Sequence, residues 1–260
     1  MQLPTTNCWK LEVSSWKLFM KGVILAGGHA TRLRPLTLVT NKHLLPIYNK
    51  PLIFYPLEAM ARAGMKEVLI ITGPDHAGHF LNLLKSGKQF GLRLSYEIQE
   101  QAGGIAQAIA LARDFASRAK FLVILGDNIF RYNLSNAVKD FVSRPKGAKI
   151  FGKEMPDCAQ YGVIELDKQG SVLSVEEKPE QPKSSIAQIG IFMYDERVFG
   201  FINSLTPSVR GELEVTDLNN IYVKEGTMTC DVIDDWWVDA GTSFDELLRA
   251  NLLLAKMARE

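Results

Sequence analysis

Short apolar runs alternate with amphipathic stretches through the first half of the chain. Gly22 to Leu25, Glu67 to Thr72 (EVLIIT) and Phe121 to Leu125 (FLVIL) have apolar interiors, the mark of strands buried on both faces. Between them, Pro51 to Gly64 reads as a helix with a proline near its start and a glycine at its end. Asp75 to Lys85 reads as a second helix, Arg93 to Ile98 alternates like a strand, and Gly104 to Ala112 opens a third helix. This repetition predicts a parallel sheet covered on both faces. Beyond Arg144 the strands become shorter and more alternating: Ala148 to Lys153, Gly162 to Leu166, Val172 to Glu176 and Gln188 to Tyr194 predict antiparallel or mixed additions to the sheet. Asp195 to Ser204 and Glu212 to Glu225 read as helices, and Phe244 to Arg259 as an amphipathic terminal helix with Leu247, Leu248, Leu252 and Leu254 as its apolar residues. The fold class that follows is α/β, a Rossmann-like mixed and mostly parallel central sheet with helices on both faces. With no repeat or low-complexity linker, residues 21–260 form one domain, divisible into halves of about 21–145 and 146–260.

Composition narrows the partners. Thirty Lys and Arg against 29 Asp and Glu give a net charge of +1, so no general basic field predicts a nucleic-acid partner. Cys8, Cys158 and Cys230 are odd in number and far apart, which suits reduced thiols and a cytoplasmic location. No apolar run approaches bilayer length, so no membrane partner is expected. Residues 1–20 lack a continuous apolar region and a small-residue cleavage site. They read as an extension outside the core rather than a signal peptide.

Candidate chemistry concentrates first between Lys21 and Pro51. After the apolar run, Ala26, Gly27, Gly28 and Ala30 leave little side-chain bulk, so a ligand could lie against the backbone N–H groups. From Lys21 to the first acid, Glu58, every charged residue is cationic: Lys21, Arg32, Arg34, Lys42 and Lys50. Glycine-rich backbone with cations around it suits a polyphosphate. The spacing contains neither the P-loop string nor the dinucleotide G-x-G-x-x-G fingerprint. Asp127 directly follows the FLVIL strand, where a hard divalent cation could share its carboxylate with phosphate oxygens; the plain alternative is an Asp that caps the next turn. Asp239 reads equally as a helix-start residue with Thr242 as cap. Glu177 and Lys178 read equally as an exposed ion pair, and Arg210 as part of a helix start. His76 and His79 read as a solvated helix start rather than a metal pair.

The string Leu25-Ala26-Gly27-Gly28-His29-Ala30-Thr31-Arg32-Leu33, followed by Lys42-His43-Leu44-Leu45-Pro46, resembles the signature loop of the sugar nucleotidyltransferases. Further strings resemble that family in its own order: Gln99 to Ala108, Leu125-Gly126-Asp127-Asn128, Tyr161-Gly162-Val163, Glu176-Glu177-Lys178-Pro179, Arg210-Gly211-Glu212-Leu213-Glu214 and Trp237-Val238-Asp239-Ala240-Gly241-Thr242. The resemblance implies the nucleotide-diphospho-sugar transferase fold, with nucleotide bound by the first half and a sugar phosphate by the second. It implies nucleotide contacts from Leu25, Ala26, Gly27, Gly28, Thr31, Gln99 and Gly104, the last two at the pyrimidine edge. Arg32, Lys42, Asp127 and Lys178 become catalytic, Asp127 and Asp239 hold Mg²⁺, and Gly162, Glu177, Lys178 and Arg210 bind the sugar phosphate. The implied reaction joins dTTP and α-D-glucose 1-phosphate to give dTDP-glucose and pyrophosphate, by in-line attack on the α-phosphate, in a homo-oligomer serving deoxysugar biosynthesis. A UTP-dependent enzyme making UDP-glucose, or a non-catalytic nucleotide-sugar-binding regulatory protein, are the alternatives. Long-form members continue past the terminal helix, whereas this chain ends at Glu260, which leaves the family's regulatory nucleotide site and tetramer open. Three positions depart from the family pattern: His29, Ile189 and Ala30, whose Cβ resists positive φ and so predicts an altered loop.

Overall fold

The computed structural model describes residues 20–28 and 30–259; the rest of the N-terminal extension and His29 lie outside the described residues. In chain order, β1 (Lys21–Ala26) leads through three short 3₁₀ turns to the hairpin β2 (Pro46–Ile47) and β3 (Lys50–Pro51). Then come α1 (Phe54–Arg62), β4 (Glu67–Thr72), α2 (Ala77–Leu84), β5 (Arg93–Ile98), α3 (Ile105–Ala110), α4 (Arg113–Ala116), β6 (Phe121–Leu125), β7 (Asn128–Phe130) and α5 (Ser135–Ser143). The second half contains β8 (Ala148–Glu154), β9 (Gly162–Leu166), β10 (Val172–Glu177), β11 (Ile186–Tyr194), α6 (Val198–Ile202), α7 (Val215–Lys224), β12 (Met228–Ile233), β13 (Trp237–Asp239) and α8 (Phe244–Met257).

The main sheet has nine strands in the order β10-β9-β11-β6-β1-β4-β5, with β8 also paired to β11 and β12 to β8. β6, β1, β4 and β5 are parallel; the first three have the apolar interiors that predict it, while β5, alternating and largely exposed, is the sheet's edge. β11 then runs antiparallel to β6, β8 and β9. The pleat sends alternate residues of β1 to opposite faces. Ile24 and Ala26 join the core under α1, α2 and α5, while Val23 and Leu25 join the one under α3, α4, α6 and α7. Because β1, β4, β5 and β6 point the same way, Gly27, Gly73, Gln99 and Gly126 all emerge at one edge, the usual ligand side of such sheets.

Several elements differ from the sequence reading. The helix over Asp75–Lys85 opens as a 3₁₀ turn at Pro74–His76 and becomes α-helical only from Ala77. β12, which the sequence reading leaves without an element, adds in parallel to β8. The cap of α8 is Ser243, whose hydroxyl accepts the Glu246 N–H at 3.1 Å, and not Thr242. Ser243 and Glu246 stand at capping-box spacing, so the signal was present one residue further on. β7 and β13 form a separate antiparallel pair, too short to leave a period in the sequence.

Candidate active site

The pairing of β7 with β13 builds the centre of the site. It sets Asp239 opposite Asn128, next to Asp127, and the Ala240 N–H donates to the Asp127 carbonyl at 3.0 Å. Two carboxylates 112 positions apart in sequence thus meet, Asp127 buried and Asp239 half-buried. Lys42 reaches it from the loop after β1 and donates through Nζ to Asp127 Oδ2. The floor is Gly241: a methyl there would stand 2.3 Å from Asp127 Oδ2 and 2.7 Å from Lys42 Nζ.

Electrostatics separates the two acids. Burial opposes charge on Asp127, yet Lys42 beside it wins and holds the carboxyl down at about 2. Asp239 is pushed up to about 7, first by burial and then by the Asp127 charge, with Lys42 opposing. Burial works against the charge on Lys42, but Asp127 and then Asp239 outweigh it and raise the ammonium above its ordinary value. One ammonium therefore serves two carboxylates, and the second holds its proton more tightly than an ordinary aspartate. This oxygen-donor pair fits a hard divalent cation that completes its coordination with phosphate and water.

Around this centre lie three adjoining cavities. The first, of about 250 Å³, is lined by Leu25, Gly27, Gly28, Gln99 and Gly104 and ends on Lys42 and Asp127. Gln99 is oriented by Gln107, whose Oε1 accepts its Nε2 at 2.6 Å and the Gly103 N–H at 3.1 Å. Gly104 has φ +98° and its missing side chain would lie 2.6 Å from the Leu213 carbonyl, so only glycine fits this strand-to-helix corner. The second, about 560 Å³, opens outward past Gly28 to Arg34, Thr37, Asn41 and His76. The third, about 180 Å³, holds Arg32, Gly162, Glu177, Lys178, Asn128 and Asp239.

Most of the sequence-predicted residues therefore converge. Arg32 lines the third cavity together with Lys178 and Asp239. Ala26 is buried beneath the loop, its carbonyl accepting Asn41 Nδ2 at 3.4 Å, and Thr31 is exposed; neither lines a cavity. Arg210 stays at the rim, held by Glu214 at 2.9 Å and Glu177 at 3.3 Å. Lys178 adopts φ +45°, left-handed for a non-glycine residue, and its N–H is tied to the Tyr161 carbonyl at 3.0 Å. The altered loop expected at Ala30 is not what the backbone does: Ala30 takes φ +46°, ψ +42°, the glycine-like conformation. The 3₁₀ turn that follows, fastened by Leu33 N–H to the Ala30 carbonyl at 3.1 Å, and the Thr37 hydroxyl on the same oxygen at 2.8 Å, hold it there.

Asn128 was missed as a functional residue. Its Nδ2 donates to Asp127 Oδ1 at 3.0 Å while its Oδ1 accepts from Gly190 N–H at 3.0 Å and Trp237 Nε1 at 2.7 Å. It thus joins β7, β11 and β13 behind the carboxylate.

Comparison with known proteins gives the family. The family model for nucleotidyl transferases matches residues 21–257. The chain belongs to the nucleotidyl transferase family. Among family relatives, the glucose-1-phosphate thymidylyltransferase of Neisseria gonorrhoeae is 42% identical over 226 residues, 86% of this chain and 78% of that one. The enzyme of the same name from Mycolicibacterium smegmatis is 42% identical over 235 residues, 89% and 81% of the two chains. A Bacillus anthracis crystal structure assigned as a glucose-1-phosphate thymidylyltransferase, in complex with a sucrose, superposes with a TM-score of 0.86 at 44% identity. It covers 90% of this chain and 94% of its own. UDP-glucose pyrophosphorylase complexed with UDP-glucose shares the fold, with a TM-score of 0.82 at 24% identity over 92% and 99% of the two chains.

Proposed function

We propose that this protein joins dTTP to α-D-glucose 1-phosphate, releasing pyrophosphate and dTDP-glucose. The observation that carries the reading is the placement of Asp127, Asp239 and Lys42 between two cavities of different chemistry. One is a glycine-walled cleft ending on the Gln99 amide, suited to a nucleotide; the other holds Glu177, Lys178 and Arg32, suited to a phosphorylated polyol. The relatives named above carry this activity in their names.

In the reaction, an oxygen of the sugar phosphate forms a bond to the α-phosphorus of the nucleotide, and the bond from that phosphorus to the bridging oxygen of pyrophosphate breaks. A phosphate monoester is largely ionised at neutral pH, so no general base is needed. The site has to align two anions and neutralise their charge. Asp127 and Asp239 would hold Mg²⁺, which when bound neutralises and orients phosphate oxygens. Lys178 binds the sugar phosphate, Lys42 keeps Asp127 ionised and offers its ammonium to phosphate, and Arg32 stabilises charge on the α-phosphate and leaving pyrophosphate. Gln99 reads the pyrimidine edge, which thymine and uracil share.

The test is product formation from glucose 1-phosphate and Mg²⁺ with dTTP or UTP in parallel, separating the nucleotide sugars chromatographically. dTDP-glucose formed in preference to UDP-glucose is the expected result. UDP-glucose in excess would move the chain to the uridylyl branch, and nucleotide binding with no product from either would mark a non-catalytic binder.

A further inference from the structure

The sugar-side cavity contains a polar group that none of the family motifs accounts for. Gln188 on β11 is 92% buried (8% exposed) and lines this cavity beside Gly162 and Glu177. Its Oε1 is occupied, accepting Asn219 Nδ2 at 2.8 Å; Asn219 is fully buried and in turn accepts the Tyr194 hydroxyl at 2.7 Å. Burial keeps that phenol protonated and hence a donor. This relay fixes which end of the Gln188 amide faces inward. The Nε2 end has no protein acceptor among the described residues and borders the cavity next to Gly162, where a Cβ would stand 3.4 Å from it. The Nε2 donor is thus open to the cavity while the rest of the side chain is held in the core, so a ligand acceptor there would replace water at a pre-oriented donor.

The backbone supports the same reading. Between Gln188 and Phe192, β11 advances four residues while β8 advances two, from Gly152 to Ile150, so the ladder is broken just after Gln188. Such irregularities beside a site re-aim side chains. Here the released Gly190 N–H goes to Asn128, tying the segment that carries Gln188 to the carboxylate centre.

We infer that Gln188 is a specificity-determining residue that donates a hydrogen bond through Nε2 to one ring hydroxyl of the sugar phosphate, with Asn219 and Tyr194 as positioning residues. The inference rests on the sugar-phosphate reading given under Proposed function. It assigns to Gln188 a recognition that is donor-specific: the ligand atom must accept.

The experiment compares kcat/KM for glucose 1-phosphate with its monodeoxy and monodeoxyfluoro forms at each ring position, in the wild type, Gln188→Met and Gln188→Glu. Fluorine accepts weakly and cannot donate. In the wild type, one ring position should lose about 10- to 100-fold when hydroxyl becomes hydrogen, with fluorine recovering part of the loss. Gln188→Met should lose a similar factor on the parent sugar and treat hydroxyl, fluorine and hydrogen at that position alike, with KM for dTTP unchanged. Gln188→Glu keeps an acceptor for Asn219, which preserves the fold, and should reject fluorine at that position while keeping hydroxyl. Ratios taken within one variant are independent of the fraction folded. Wild-type ratios retained at every position in both variants would overturn the inference. A wild type that binds dTTP but turns over none of these sugars would overturn the sugar-phosphate reading itself, and the assignment of Gln188 with it.

Discussion

Asn128 offers the sharpest test of how this centre is held. Its side chain is 1% exposed and makes three hydrogen bonds, accepting two through Oδ1, from Gly190 and Trp237, and donating one to Asp127. In Asn128→Ala the Gly190 N–H and the Trp237 indole N–H, in a side chain 3% exposed, lose their acceptor together. At about 1–3 kcal/mol for each buried unsatisfied donor, the variant should be destabilised by about 2–6 kcal/mol. That is a large share of the roughly 5–15 kcal/mol that holds a domain folded. In urea this corresponds to a midpoint lowered by about 1–2 M. Asn128→Asp separates the fold from the chemistry. It keeps an acceptor for both donors but replaces the NH₂ that faces Asp127 with a second carboxylate oxygen, so turnover should fall further, and its loss of midpoint, now caused by charge repulsion, should shrink as lower pH protonates the added carboxyl. Equilibrium urea unfolding by tryptophan fluorescence, with product formation measured alongside, reads both effects. An Asn128→Ala midpoint indistinguishable from wild type would refute the argument that this amide clamps the three strands.

Four further outcomes follow from the geometry. Gly241→Ala would press a methyl against Asp127 Oδ2 and Lys42 Nζ, and should lower turnover about 10²-fold or more with near-UV circular dichroism unchanged; near-normal kinetics would mean that the floor yields. Arg32→Ala should slow the chemical step by about 10²–10³, as loss of one transition-state donor does; a change confined to sugar KM would assign it to binding alone. His43 is held down at about 3 by burial and then by Lys42, so the folded state binds fewer protons than the unfolded chain. Its share of stability is therefore present above the unfolded value near 6.5 and lost as pH falls toward 3, at about 1.4 kcal/mol per pH unit. Urea midpoints between those limits should fall less steeply in His43→Gln, and an unchanged slope would exclude His43 as the source. Ala30→Gly relieves a left-handed alanine but adds unfolded-state freedom, so a net gain of up to about 1 kcal/mol is expected; a loss would show that the loop prefers the methyl.

Contiguous features were legible from sequence and dispersed ones were not. The glycine loop and its cations sit within one stretch, and β1, β4 and β6 announce themselves because burial on both faces leaves unbroken apolar runs. Asp127 and Asp239 were named from their strings, but what unites them is a ladder of three residues per strand, below the length at which alternation can be read. Gln107, Asn128 and Asn219 were passed over because a polar residue in an apolar neighbourhood looks the same in sequence whether it faces solvent or a buried partner. Trp237 held a usable clue, since a buried indole N–H requires an acceptor. At Ala30 the intrinsic preference was read correctly; the hydrogen bonds closing the following turn override it.

β11 belongs to both halves of the molecule, pairing with β6 of the parallel block and with β8 and β9 of the second half. A hinge between the halves would have to tear that ladder, so the cleft has no means of closing as two jaws. Motion accompanying turnover is left to the connections at the sheet edge, above all residues 30–45, which contain short 3₁₀ turns and no strand. Hydrogen exchange should then find one uniformly slow body across all nine strands with fast amides gathered in that connection. Catalytic cycling in this protein would be paced by a loop moving over a stationary platform.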